Sequence, residues 1–140
     1  MNQMAAPLTH HEALIYAMVT LSAADRTMTD PELLKIADIV RTMPIFAGFD
    51  PDRLPAVAAA CSTLLSDDDG LDTIIGIVKA SLPPRLYETA YACAVEVAAA
   101  DLVVDQEELV FLEMLREELE IDPLIVAAIE RSARVRYRVK

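Results

Sequence analysis

The sequence predicts an all-α fold, a compact bundle of about seven helices. Apolar residues recur at three- and four-residue spacing almost throughout, the mark of amphipathic helices. Three glycines and 54% apolar residues argue against both disorder and a turn-rich β protein. Alanine, leucine, glutamate and methionine are plentiful, and these lose little side-chain freedom in a helix. At 140 residues the chain has the usual size of one domain, and residues 1–140 are expected to form a single one.

The elements follow in order. Thr9 is placed to N-cap a first helix, with Glu12 three residues later completing a capping box. Leu14, Ala17, Met18 and Leu21 form its inner stripe, and it should end near Asp25. A second helix opens at Thr29 or Asp30 and runs through Leu33, Ile36, Val40 and Met43 to a stop before Pro44. Asp50-Pro51 marks a third start, with Leu54, Val57, Cys61 and Leu64 facing inward and Pro55 tolerated in the opening turn. Asp67-Asp68-Asp69-Gly70 is the clearest internal loop. The fourth helix then carries Leu71, Ile74, Ile75, Val78 and Leu82 up to Pro83-Pro84. A fifth spans about Arg85 to Ala100, with Leu86, Ala90, Cys93 and Val97 on one face. The sixth runs from about Gln106 to Glu120 through Leu109, Leu112, Leu115 and Leu119. Asp122-Pro123 caps a seventh helix that ends among the terminal arginines.

Charge narrows the function classes. The net charge of −11 hides an asymmetry, because Arg131, Arg134, Arg136, Arg138 and Lys140 stand in the last ten residues and leave residues 1–130 at −16. So acidic a body repels phosphate backbones, so nucleic acid is not expected as a partner, whereas cations or basic proteins are. The basic tail either complements the negative end of the last helix dipole or contacts an anionic lipid or acidic partner. Cys61 and Cys93 lie in alanine-rich helical runs and read as small buried side chains, not as a disulfide or zinc site. The opening Met-Asn-Gln-Met has no basic n-region or apolar stretch, and no uncharged run reaches the roughly 18 residues of a membrane span. A cytoplasmic location is the expectation.

A shift of 76 residues aligns two stretches without a gap. Ala23, Ala24, Asp25, Glu32 and Leu33 match Ala99, Ala100, Asp101, Glu108 and Leu109, and the helical stripes keep phase, with Ile36 over Leu112. This pattern reads as an internal duplication, residues 10–43 and 86–119 each forming a helical hairpin with an acidic turn. Thr29 with Glu32, and Asp105 with Glu108, have the spacing of capping boxes. Asp25 and Asp101 instead follow the C-terminal ends of apolar helices, where the dipole disfavours an anion by roughly 0.3–1 kcal/mol. Either an Asx-turn offsets that cost or a bound cation does. In the second case Asp25, Glu32, Asp101, Asp105 and Glu108 could converge, and hard oxygen ligands of that kind suit calcium or magnesium. The spacing is not that of an EF-hand loop.

The two Ala-Ala-Asp motifs, each followed four residues later by Thr29 or Asp105 and then by Glu32 or Glu108, resemble the signature of the tellurite-resistance TerB family. The resemblance runs over roughly Glu12 to Ile129. It implies an all-α fold, a bacterial cytoplasmic protein tied to tellurite resistance and general stress, and no enzymatic activity. It further implies a divalent-cation site on a negative surface and association with a protein partner in membrane-bound complexes. The chain departs from the family where Gly commonly follows the motif's Asp, since Arg26 and Leu102 stand there. Arg26 neutralises Asp25 locally and Thr29 replaces a carboxylate, so any metal site should lean on Asp101, Asp105 and Glu108.

Two other classes compete. A pure protein-interaction adaptor needs no metal. A hydrolase using paired carboxylates is the remaining alternative, but the only histidines, His10 and His11, are adjacent, and no Gly-rich phosphate loop or nucleophile motif occurs.

Overall fold

A computed structural model describes residues 8–24, 28–100 and 104–140. Among these the chain forms seven α-helices, α1 (His10–Ser22), α2 (Asp30–Thr42), α3 (Leu54–Leu65), α4 (Gly70–Ser81), α5 (Tyr87–Ala100), α6 (Gln106–Glu118) and α7 (Pro123–Arg136), and no strand. None of them is long and apolar enough to cross a membrane.

The first helix is more deeply placed than its stripe suggests. Every residue from Ala13 to Ser22 is buried, not only Leu14, Ala17, Met18 and Leu21. The reason is position: α1 packs on α2, α3, α4, α5 and α6, and most extensively on α5. A helix enclosed on all sides is apolar on all sides. The Thr9–Glu12 capping box forms as expected, and Arg53 reaches the other oxygen of Glu12 at 2.7 Å. The helix stops at Ser22, short of Asp25, where the Ala23 amide closes the last turn on the Val19 carbonyl. His11 is half-buried, and its Nε2 donates to the Ile45 carbonyl at 2.9 Å.

Two further expectations need correction. The third and fifth helices do not start as α-helix, because the prolines at their entrances open single 3-10 turns, Pro51–Arg53 and Pro84–Leu86. Leu109, expected on the inner stripe of α6, is 49% exposed, and Phe111 takes the core position at 0%. The α6 core residues are then Phe111, Leu112 and Leu115, with Leu119 at the C-cap. Past Leu119 the chain turns through Glu120 at φ 54, and the amides of Glu120 and Ile121 bond back to the Glu117 and Arg116 carbonyls. That is a Schellman closure with glutamate where glycine is cheapest.

Gly70 opens α4 instead of ending the acidic loop. A β-carbon there would lie 2.7 Å from the Leu65 carbonyl oxygen and 2.8 Å from that of Leu64. Only glycine lets α4 start so close to the end of α3. The opposite face of the bundle is looser: α7 packs chiefly on α5, and Ala133 is its only buried residue.

Candidate functional site

Both acidic turns end in a capping box of the same form. At α2 the Glu32 amide donates to Thr29 Oγ1 at 3.4 Å, and the Thr29 amide donates to Glu32 Oε1 at 2.7 Å. At α6 the Glu108 amide donates to Asp105 Oδ1 at 2.9 Å, and the Asp105 amide donates to Glu108 Oε1 at 3.2 Å. The backbone repeats too, with φ/ψ of −87/165 at Thr29 and −84/174 at Asp105. Each box satisfies two amides that the helix start would otherwise leave without partners, and it sets a carboxylate against the positive end of the dipole.

The two boxes differ in depth. Glu108 is buried, at 5% exposure, whereas Glu32 is half-buried. A carboxylate is costly to bury unless it is hydrogen-bonded or balanced by positive charge. The second turn therefore sets its box glutamate deeper in the fold than the first does. Asp105 is half-buried beside it. Asp25 and Asp101 lie outside the described residues. Among the described residues no group of three or more His, Cys, Asp or Glu is arranged to hold a metal ion. Asp105 and Glu108 are thus brought together, and Glu32 does not join them in a described cluster. The hydroxyl of Ser22, buried at the end of α1, has no hydrogen-bond partner among the described residues.

Tertiary structure adds acids that the turn motif does not contain. Asp67, Asp68, Asp69 and Asp72 border a cavity of about 280 Å³ together with Ala23, Ala24 and Met114. The loop between α3 and α4 thereby comes beside Ala23 and Ala24, just past the end of α1. Nothing in the local sequence signals this, because the meeting depends on how α3 and α4 pack against α1.

A polar clasp holding α7 was equally hidden. The Tyr91 hydroxyl on α5 donates to Glu130 at 2.5 Å, and Arg116 donates to that hydroxyl at 3.4 Å. One helical turn further on, Arg136 donates two bonds to Glu96, at 3.0 and 2.8 Å, and Tyr137 adds a third at 2.6 Å. The Arg136 hydrogen bonds and that of Tyr137 hold the Glu96 carboxyl below its ordinary pKa despite partial burial. The Tyr91 hydroxyl is pushed well above the ordinary tyrosine range, first by burial and then by donating to Glu130. Of the five basic residues near the C-terminus, Arg136 alone is spent in this clasp; Arg131, Arg134, Arg138 and Lys140 are exposed.

Grooves of about 510 and 410 Å³ flank α7 where it crosses α5, and Val95 and Ala133 line both. The second groove collects the exposed Val104, Leu109 and Val110 at its α6 edge.

Both cysteines are free and buried, as expected from their alanine-rich surroundings. Burial pushes the Cys61 thiol up to about 11 and the Cys93 thiol up to about 12. Neither is a thiolate near neutral pH, so neither is a nucleophile there.

The family model described as "Tellurite resistance protein TerB" matches residues 11–131. No curated protein and no solved structure matches the chain.

Proposed function

The chain belongs to the TerB family, whose model covers residues 11–131, and from that premise we propose that it is a non-enzymatic module of the bacterial tellurite and stress response whose acidic inter-helix turns bind a divalent cation, calcium or magnesium. Asp101, Asp105 and Glu108 form the principal ligand set, and Asp25 with Glu32 form a weaker one at the first turn. The single observation that carries this reading is the buried Glu108 paired with Asp105, three residues before it, at the start of α6. Two carboxylates brought together at one helix start supply hard oxygen donors of the class that calcium and magnesium take.

Residues 1–140 act as one domain in this proposal, with 10–43 and 86–119 as equivalent hairpins. Supporting the equivalence, the bounds of α6 are those of α2 displaced by 76 residues, and so are their N-caps. Calcium and magnesium titration under thermal melting is the test, because a ligand of the folded state raises its stability. The wild type should melt higher with ion, and Asp101→Asn should lose most of that rise while matching the wild type in chelator. No rise at millimolar ion defeats cation binding.

A second reading is favoured by the groove between α6 and α7. Its exposed Val104, Leu109 and Val110 suit a protein partner without any metal, and the capping boxes alone then account for Glu32, Asp105 and Glu108. Leu109→Ser in a pull-down from a native lysate, with the cation titration unchanged, separates the two.

A further inference from the structure

The outward face of α7 is of one sign on an otherwise acidic protein. Residues 124, 127, 128, 131, 134 and 135 fall on one side of the helix by their three- and four-residue spacing, and all are exposed. They supply Leu124 at 79% exposure, two alanines, Arg131, Arg134 and Val135 at 48%. The one acidic residue of α7, Glu130, is turned inward to Tyr91. Past the helix, Arg138, Val139 at 76% exposure and Lys140 continue the same mixture of cation and aliphatic. The clasp of Tyr91 with Glu130, and of Glu96 with Arg136 and Tyr137, fixes the inner side and so holds this face outward.

We propose that the outward face of α7, with the residues that follow it, docks on an anionic lipid surface. Three features select a lipid plane over a polypeptide. First, every residue of the face is exposed. The cavities around α7 lie on its flanks, and those are bordered by both signs, Glu96 with Arg136 on one side and Glu113 and Glu130 with Arg116 and Arg134 on the other. Second, the exposed Leu124 and Val135 stand at the two ends of about 17 Å of helix that also carries Arg131 and Arg134, a mixture of aliphatic and cation found in helices that lie in a membrane interface. Third, residues 1–130 carry a net −16, so an anionic surface repels the body and attracts only the C-terminal end, which orients the molecule.

Co-sedimentation of the full chain with vesicles tests this. Mixed phosphatidylglycerol and phosphatidylcholine vesicles should carry the protein down, pure phosphatidylcholine should not, and added salt should weaken the binding. Arg131→Gln with Arg134→Gln, both exposed, should leave the melting curve in place and weaken binding on the order of tenfold or more. Leu124→Ser with Val135→Ser should weaken it severalfold while keeping the salt dependence. Absence of binding to the anionic vesicles overturns the proposal, as does binding indifferent to the arginine substitutions. A polyglutamate peptide bound as tightly as the vesicles would overturn it in favour of an acidic polypeptide. Self-association in sedimentation velocity that disappears with those arginines, without vesicle binding, would overturn it in favour of a second copy.

Discussion

Thr29 and Asp105, 76 positions apart, occupy the same structural post: each side chain accepts from the amide three residues on, and each amide donates back to the glutamate there. A hydroxyl and a carboxylate are interchangeable as caps because the helix start needs only an oxygen acceptor at that point. As cation ligands they are not interchangeable, which is why the second turn carries the proposed site.

Loss of either cap should therefore cost a similar amount. Asp105→Ala and Thr29→Ala are each expected to destabilise the fold by about 1 kcal/mol, with or without divalent ion, measured by urea unfolding. Asp105→Thr should recover most of that stability while lowering any calcium-induced rise in melting temperature. Full retention of the rise in Asp105→Thr would remove Asp105 from the ligand set.

The α7 clasp should weaken in acid. Hydrogen bonds from Arg136 and Tyr137 lower the Glu96 pKa from 4.5, so its contribution is complete above that value and is lost as pH falls through the depressed one. Protection of the α7 amides, corrected for the pH dependence of intrinsic exchange, should hold from neutral pH down to 4.5 and fall only in the acid window beneath it. Glu96→Gln should exchange faster already at neutral pH and lose that part of the acid dependence. Tyr137→Phe removes one hydrogen bond and should cost about 0.5–1.5 kcal/mol.

The glycines of α4 should respond to alanine with opposite signs. Gly70→Ala forces a methyl against the Leu64 and Leu65 carbonyls and is expected to cost about 1–3 kcal/mol. Gly76 is exposed within the same helix, and a β-carbon there meets nothing within 4 Å. Gly76→Ala should stabilise by about 0.5–1 kcal/mol, since alanine has less backbone freedom to lose in a helix. Thermal melting of the two variants decides it.

On α6, Phe111→Ala is expected to cost about 3–5 kcal/mol, because it empties a fully buried aromatic site. Leu109→Ala should stay within about 0.5 kcal/mol of the wild type, being half exposed. The stripe drawn from leucine spacing predicts the reverse order, so equilibrium unfolding of this pair separates the two descriptions of the helix.

The reversal at α6 shows where sequence periodicity loses its hold. Leu109 and Phe111 both fall near an apolar stripe of the helix, and the choice between them depends on the tilt of α6 against α1 and α5, which no local pattern encodes. Leu33 and Met43 on α2, and Leu64 on α3, are likewise on the expected faces but only half-buried, since they lie at the margin of the core.

Local chemistry was enough to place the seven helices, their capping boxes at Thr9, Thr29 and Asp105, the proline entrances and the buried thiols. Each of these rests on contacts within about four residues, so a single strand of sequence contains both partners. What packing alone settled involves partners about forty residues apart or more: the packing of α1 on α3 and α5, the approach of Asp67–Asp69 to Ala23 and Ala24, and the tyrosine–glutamate pairs that hold α7. Glu96 and Tyr137 carry no signal of each other until two helices cross, because a long-range hydrogen bond is specified by the geometry of the core and not by the spacing of the residues that make it.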